Sequence, residues 1–388
     1  MEEISRIPAV DWRSELREAI SLAKHSETFF PEGDSALSAI DAERERFPML
    51  VPSSYANLID WADPKDPLRL LVTPSANESS QDGREDTSGE ALSTVAQGIQ
   101  HKYEKTAVLV LTQACAAHCR YCFRRRILRE DVVSRESIND LDGAIRYVAE
   151  HPEVDNVFLS GGDPMVSSTG RLKRLLVRLA DISHVRQIRI STKLPAFLPS
   201  RFTSDPDLIV LLREMQERFQ LIFQCHFDHA RELRAETRAA LDVLRQVGCL
   251  LTSQVALIKG VNDNSDTLAE LFREMHLAGI APQYLFHPRP VKHAVHFQIP
   301  IARGLAVVEG ARQQLNGSAK RFRYVMTLED GKLEIVGTLK LGGDTSLVVR
   351  WHQLRKGIAP RSMELIPINE DTMWVDRSSE AEERIPRE

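Results

Sequence analysis

Between residues 107 and 286, short apolar runs of strand length alternate with longer runs of helical period, and this rhythm constrains the fold more than any other feature. AVLVLT (107–112), NVFLSGGDP (156–164), VRQIRIST (185–192), LIFQCHF (221–227), LLTSQVALI (250–258) and PQYLFH (282–287) read as strands. The stretches between them, such as RLKRLLVRLADI and SDTLAELFREMHLAGI, carry the apolar stripe of helices packed on a sheet. Strands regularly separated by helices form a parallel sheet with right-handed crossovers. Six such units are too few for a closed eight-stranded barrel. The expected fold is therefore α/β, a partial (β/α)6 TIM-like barrel with its site at the C-terminal ends of the strands.

The flanks read differently. Residues 11–26 and 35–46 have helical periodicity, and residues 47–75 suggest short helices joined by turns, giving a helical N-terminal region over 1–100. Within it, residues 75–91 (SANESSQDGREDTSGEA) are polar and read as a mobile surface loop. The barrel core is expected over 101–320. FRYVMTLEDGKLEIVGTLK then presents two alternating runs around a Glu-Asp-Gly turn, and TSLVVRWHQL and MELIPI follow, so residues 321–375 are expected to form a β-rich extension. The charged residues 376–388 are expected to be disordered. A net charge of −5 gives no reason to expect nucleic-acid binding. No run reaches the roughly 18 apolar residues of a membrane helix, and the acidic N-terminus lacks the features of a signal peptide. A cytoplasmic, reducing location is expected, where clustered cysteines point to metal or redox chemistry rather than disulfides.

Three of the five cysteines fall in one loop directly after the first core strand, as ACAAHCRYCFRRR (114–126). The spacing Cys115-x3-Cys119-x2-Cys122 supplies three thiolates. A structural zinc site wants four ligands, usually in two pairs, and Cys225 and Cys249 lie more than 100 residues downstream. A three-cysteine zinc knuckle completed by His118 is one reading. An iron–sulfur cluster held by three thiolates, with one iron left open, is the other. Glycines in LSGGDP (159–164), at the end of the second core strand, allow close backbone approach to a ligand.

CxxxCxxC after a strand, with Tyr121 before the last cysteine, resembles the radical S-adenosylmethionine (SAM) superfamily. The segments HKYEKTAVLVLTQACAAHCRYCFRRR, VFLSGGDPM, IRISTKLPAFLPSRF, FQCHFDH, SQVALIKGVND and HAVHF are similar, in order, to those of the lysine 2,3-aminomutase family. LVPSSYANLIDWADPKDPLRLLVTPSANE resembles that family's N-terminal region. The resemblance implies a [4Fe–4S] cluster on Cys115, Cys119 and Cys122 whose unique iron chelates SAM. Reductive cleavage then yields a 5′-deoxyadenosyl radical that abstracts a substrate hydrogen. It also implies pyridoxal 5′-phosphate (PLP) as carrier of the migrating amino group. Ser160, Gly161, Gly162 and Asp163 fall on the SAM side, Gln254 and His226 match polar positions lining the site, and Arg124 matches the arginine serving the PLP-bound substrate. Partners implied are a small-molecule amino acid and an electron donor such as flavodoxin or ferredoxin, in a homo-oligomer, with no nucleic acid and no membrane.

The pattern breaks where PLP and lysine would be recognised. The family's glycine run before the PLP lysine is reduced to Gly331, which makes Lys332 the candidate Schiff-base lysine, although a lysine after Asp-Gly also suits a plain hairpin turn. Where lysine aminomutases carry aspartates for the substrate ammonium, this chain has YLFHPRPVKH, with His287, Arg289 and Lys292, and Thr327. Arg289 is either a surface residue of a Pro-rich turn or an inward cation that would repel an ammonium. The expected reaction is thus a 2,3-amino shift on an amino acid other than lysine, with glutamate or another acidic or polar one favoured. The alternatives are a PLP-independent hydrogen abstraction, such as an epimerisation or rearrangement, and modification of a protein lysine.

Overall fold

The computed structural model describes residues 11–22, 27–128 and 137–375, so the charged tail expected over 376–388 lies outside the described residues. One twelve-stranded sheet runs through the molecule with its strands in sequence order. β1 (Thr94–Ala96), β2 (Ile99–Tyr103) and β3 (Thr106–Thr112) pair antiparallel. From β3 the sheet continues in parallel through β4 (Asn156–Gly161), β5 (Gln187–Thr192), β6 (Gln220–His226), β7 (Leu250–Ala256), β8 (Ala281–Phe286) and β9 (Arg323–Leu328). β10 (Gly331–Leu341), β11 (Asp344–Leu354) and β12 (Glu364–Ile368) extend it antiparallel. The sheet does not close into a barrel.

The alternation read from the sequence is the alternation observed. Four of the helices between the strands start where a short polar side chain accepts from a first-turn amide: Asp140 from Gly143 N, Ser168 from Arg171 N, Asp205 from Leu208 N and Asn264 from Thr267 N. The helix Thr169–Ala180 buries Leu172, Leu175, Leu176 and Leu179, a single stripe at helical spacing. These leucines join Leu159, Ile188, Ile190 and Phe223 in the core between helices and sheet. Truncating one such leucine to alanine costs about 2–5 kcal/mol.

Two departures matter for the site. The core holds seven parallel strands, because β9 pairs with β8 before the chain turns back into the hairpin, so the sheet crosses residue 320 without interruption. Periodicity could not show this, since β9 reads equally well as the first arm of a hairpin. Residues 75–91, expected as a mobile surface loop, are anchored. Ser75 and Glu78 form a capping box, Arg84 N donates to Pro290 O at 2.7 Å, and Glu78, Thr87, Ser88 and Glu90 are buried. Residues 81–85 are exposed, but Glu78 and Glu90 are buried ion partners. Among the described residues, no helix is long and apolar enough to cross a membrane.

Candidate active site

The inner face of the parallel sheet and the loops at its C-terminal edge enclose a cavity with about 1900 Å³ of empty space counted out to its open mouth. The sequence-derived candidates Cys115, Cys119, Cys122, Arg124, Ser160, Gly161, Gly162, Asp163, His226, Gln254, Arg289 and Lys332 all line it.

The cysteine loop leaves β3 and is pinned from outside by the N-terminal region. His118 N donates to Leu50 O at 3.0 Å and Arg120 N to Leu71 O at 2.8 Å. The three cysteines are free thiols, and burial pushes their pKa values up. Buried thiols become thiolates when a metal supplies the compensating charge, so the donor set fits a metal group. A single zinc would hold thiolates about 3.8 Å apart. Among the described residues, the one His/Cys/Asp/Glu group with ligand atoms all within 4.8 Å of one another is His101, His151 and Glu153. The three thiols are not such a group. The zinc-knuckle reading fails on His118 as well, whose Nδ1 lies 2.9 Å from Pro48 O while its ring stacks on Phe47.

Gly161 and Gly162 serve the backbone of this loop. Gly161 has φ +130°, and a Cβ there would stand 2.1 Å from Thr112 O; one on Gly162 would stand 2.3 Å from Ala114 O. Only glycine lets β4 close onto the start of the cysteine loop. Asp163 caps the following turn and accepts from Met165 N, Thr192 Oγ1 and Lys193 N at 2.8–3.0 Å. Burial lifts its pKa to about 6 against those hydrogen bonds. Its carboxylate therefore fixes the chain, leaving backbone and Ser160 as the parts of LSGGDP that face the cavity.

The triple arginine is not a solvated patch. Arg120 and Arg125 converge on Glu78, with Arg120 Nε at 2.9 Å, Arg120 Nη2 at 2.5 Å and Arg125 Nη2 at 2.8 Å from its oxygens, and both guanidiniums lie over the Phe47 ring. Arg124 and Arg126 share Glu90: Arg124 Nε donates to Oε1 at 2.8 Å, and Arg126 Nη2 to Oε2 at 2.6 Å. Arg124 Nη1 donates to Ser160 Oγ at 2.5 Å. Burial raises the Glu90 carboxyl, but Arg124 and Arg126 outweigh it and hold the pKa below its ordinary value. The arginines beside the cluster loop are thus paired with Glu78 and Glu90, the two ends of an exposed polar loop that turn inward.

Beside the cysteines, a second network orients the cavity wall. His226 Nε2 lies 3.2 Å from the Tyr121 hydroxyl and 3.1 Å from Asp228 Oδ1, and Tyr121 donates to Asp228. Lys193 Nζ bridges Asp228 at 2.5 Å and Glu232 at 2.9 Å, and Tyr55 donates to Glu232 at 2.8 Å. Burial opposes ionisation of Asp228, yet His226 and Lys193 outweigh it and depress its pKa. Gln254 on β7 stands in register beside His226 on β6.

The far wall carries cations without an ion pair among the described residues. Lys332 Nζ donates to Gln353 Oε1 at 2.9 Å and faces the rings of Tyr284 and Tyr103 at 4.7 and 5.4 Å. Burial pulls its pKa down to about 7, and Arg189, Arg289 and Lys102 add to the depression. Arg289 is an inward cation: it lies 4.1 Å over the Phe123 ring and its Nη1 is buried without a partner. Arg189 Nε, the Tyr103 hydroxyl and Thr327 Oγ1 are buried and unpartnered too. Lys102 Nζ contacts only carbonyls, Ser88 O at 2.7 Å and Leu328 O at 2.6 Å, and burial lowers its pKa to about 8. His287 is spent on packing, with Tyr324 Oη at 2.6 Å and Met373 O at 2.8 Å, while Lys292 reaches Glu85 at 3.6 Å. Lys102, Tyr103, Arg189 and Gln353 were missed in the sequence. Arg189 had a signal, being a charge between the buried Ile188 and Ile190 of a parallel strand.

Residues 109–272 match the family model described as Radical SAM superfamily. A protein of Aquifex aeolicus named "Putative L-lysine 2,3-aminomutase" is 35% identical over 338 residues, 87% of this chain and 89% of that relative. The L-lysine 2,3-aminomutase of Escherichia coli is 31% identical over 84% of this chain and 90% of its own length. That of Clostridium subterminale is 30% identical, over 79% and 73%. Motif, fold and relatives agree: the chain is a radical SAM enzyme of the lysine 2,3-aminomutase family, whose membership implies a [4Fe–4S] cluster and SAM.

Proposed function

We propose that this enzyme is a PLP-dependent 2,3-aminomutase acting on an amino acid with an acidic side chain, with the cluster on Cys115, Cys119 and Cys122 and the PLP on Lys332. The observation that carries the reading is the far wall of the cavity. A lysine with a pKa near 7 shares one chamber with the three thiols, among cations that pair with no carboxylate among the described residues. A desolvated lysine amine beside other cations is poised to attack a carbonyl. The buried groups left unpartnered on this wall (Arg289 Nη1, Arg189 Nε, Tyr103 Oη, Thr327 Oγ1) are all hydrogen-bond donors. Buried donors without acceptors call for a ligand rich in anionic oxygens. A phosphate and one or more carboxylates meet that demand.

When bound, the cluster with SAM supplies a radical that takes a hydrogen atom, and PLP supplies a π system across which the amino group moves. The chain's own residues bind, orient and screen. Lys102 and Arg189 provide charge for the phosphate and the substrate's α-carboxylate. Arg124 is held by Glu90 and Ser160 in a fixed orientation beside the cluster loop. His226, Tyr121 and Gln254 shape the wall between cluster and substrate.

The side-chain preference follows from charge. The acids lining the cavity, Glu90 and Asp163, are both already engaged. A lysine ε-ammonium would find Arg289 and Thr327. Two like charges about 4 Å apart at an effective dielectric of about 20 cost about 4 kcal/mol. A side-chain carboxylate reverses that sign.

The test is anaerobic reconstitution with iron, sulfide, SAM, PLP and dithionite, followed by a panel of single amino acids. An acidic amino acid should raise 5′-deoxyadenosine formation and give the β-amino isomer. Turnover of L-lysine in its place would overturn the side-chain assignment. Substrate turnover without PLP, and no borohydride-trapped adduct on Lys332, would overturn the cofactor assignment.

A further inference from the structure

Lys332 opens β10, and what holds its amine comes from β11 in the C-terminal extension. Lys332 and Gln353 are cross-strand partners. Gln353 Oε1 is the hydrogen-bond acceptor for Lys332 Nζ among the described residues, at 2.9 Å. The pairing then slips: Lys332 faces Gln353 but Leu333 faces Trp351, which leaves His352 as the extra residue of a β-bulge. In a regular strand His352 and Gln353 would point to opposite faces. The bulge brings His352 round to the cavity side, where its Nε2 lies 2.8 Å from the Tyr284 hydroxyl. The Tyr284 ring in turn stands 4.7 Å from Lys332 Nζ. Gly331 permits the close approach, since with φ +148° a Cβ there would stand 2.0 Å from Gln353 O. Gly331, the bulge and the side-chain hydrogen bond independently press the amine of Lys332 against the same point of β11.

We propose that Gln353 is the positioning residue for Lys332, a neutral acceptor that aims the amine into the cavity without charging it, and that His352 supports it through Tyr284. The C-terminal extension thereby completes the active site. This rests on the reading that Lys332 is the PLP lysine. The chemistry asks for this residue type. An amine needs an acceptor to fix its direction, and a carboxylate in that place would hold the protonated, unreactive form. Glutamine accepts as well and adds no charge.

The test reads the amine directly. Full-length protein without cofactors is trace-labelled with acetic anhydride across a pH series, and acetylation of Lys332 is followed by mass spectrometry. The wild type should reach half-maximal reactivity near pH 7. Gln353→Glu places a carboxylate against Nζ and should slow acetylation at neutral pH by at least about tenfold, moving the midpoint up by more than about one pH unit. A wild-type profile in folded Gln353→Glu overturns the positioning role. The near-isosteric Gln353→Met provides a second reading. It should slow borohydride-trapped attachment of PLP to Lys332 by about fivefold or more, with little change in the acetylation midpoint, because only the directing hydrogen bond of about 1 kcal/mol is lost. Unchanged trapping also overturns the role. The two levels fail separately: absence of trapping on wild-type Lys332 removes the cofactor reading and the proposal with it, whereas normal trapping with an unmoved Gln353→Glu profile removes the positioning role alone.

Discussion

Replacing Arg289 by methionine isolates the charge that reads the substrate side chain. Arg289 lies 4.1 Å over Phe123, and its Nη1 is buried without an acceptor. Methionine keeps most of the apolar contact with Phe123 and removes the guanidinium. A charge-assisted hydrogen bond is worth about 1.5–3 kcal/mol, and the Coulomb energy of a pair about 4 Å apart at an effective dielectric of about 20 is about 4 kcal/mol. The expected loss is about 2–4 kcal/mol of transition-state stabilisation, or roughly 30- to 1,000-fold in kcat/KM for an acidic amino acid. An uncharged analogue of similar length makes no ion pair, so its kcat/KM should change by less than about threefold. Arg289→Lys keeps the charge but not the planar fork and should fall between. The assay is steady-state formation of the β-amino isomer together with 5′-deoxyadenosine, anaerobically, for both substrates with each variant. Equal losses for acidic and uncharged substrates would mean that Arg289 holds the cofactor or the α-carboxylate, and the side-chain assignment would be wrong.

Further expectations follow from the same geometry. Alanine at Cys115, Cys119 or Cys122 should abolish the iron–sulfur absorbance of the reconstituted protein and SAM cleavage with it, whereas alanine at Cys225, buried on β6, should spare both. Lys332→Met should stabilise the cofactor-free protein in a pH-dependent way. The native pKa of Lys332 is pulled from 10.5 to about 7, so the unfolded chain binds the extra proton between those values. The cost of burying this lysine is full below pH 7 and vanishes above 10.5, and the variant's advantage in chemical denaturation should shrink by up to about 5 kcal/mol across that window. Glu78→Gln leaves Arg120 and Arg125 buried with only Glu43, at 3.7 and 3.4 Å, as a shared counter-charge, and should cost up to about 3–5 kcal/mol in denaturant unfolding and loosen the cysteine loop. Burial opposes ionisation of Glu78, but the two arginines outweigh it, so its contribution in the wild type should be complete above the ordinary carboxylate pKa and lost as the pH falls through the lower native value.

Local chemistry was legible in the sequence. The alternation of strand and helix between residues 107 and 286 follows from periodicity, because a helix packed on a parallel sheet must show one apolar stripe and a buried strand a continuous apolar run. Three thiols within eight residues announce a metal cluster wherever they fold, and the glycines of LSGGDP announce close backbone contact. Lys332 and Arg289 were each named with two readings, because the order of residues in a turn does not say which way a side chain points.

The tertiary structure decided what each charge is paired with. Arg124, Arg125 and Arg126 are adjacent in sequence and look like one patch. Their fates diverge because Arg125 meets Glu78 and Glu43, from the polar segment 75–91 and an earlier helix, while Arg124 and Arg126 share Glu90. The role proposed for Arg289 follows the same logic reversed: its buried Nη1 has no partner among the described residues, and that is a property of its surroundings, not of its place in the sequence. The place of Gln353 beside Lys332 depends on a one-residue slip between two strands, and side-chain alternation alone would have assigned His352 to the other face. Sequence determines which groups are present and how they repeat. The counter-charges that decide which cations stay free for a ligand lie tens to hundreds of residues away, and only the folded chain brings them within reach.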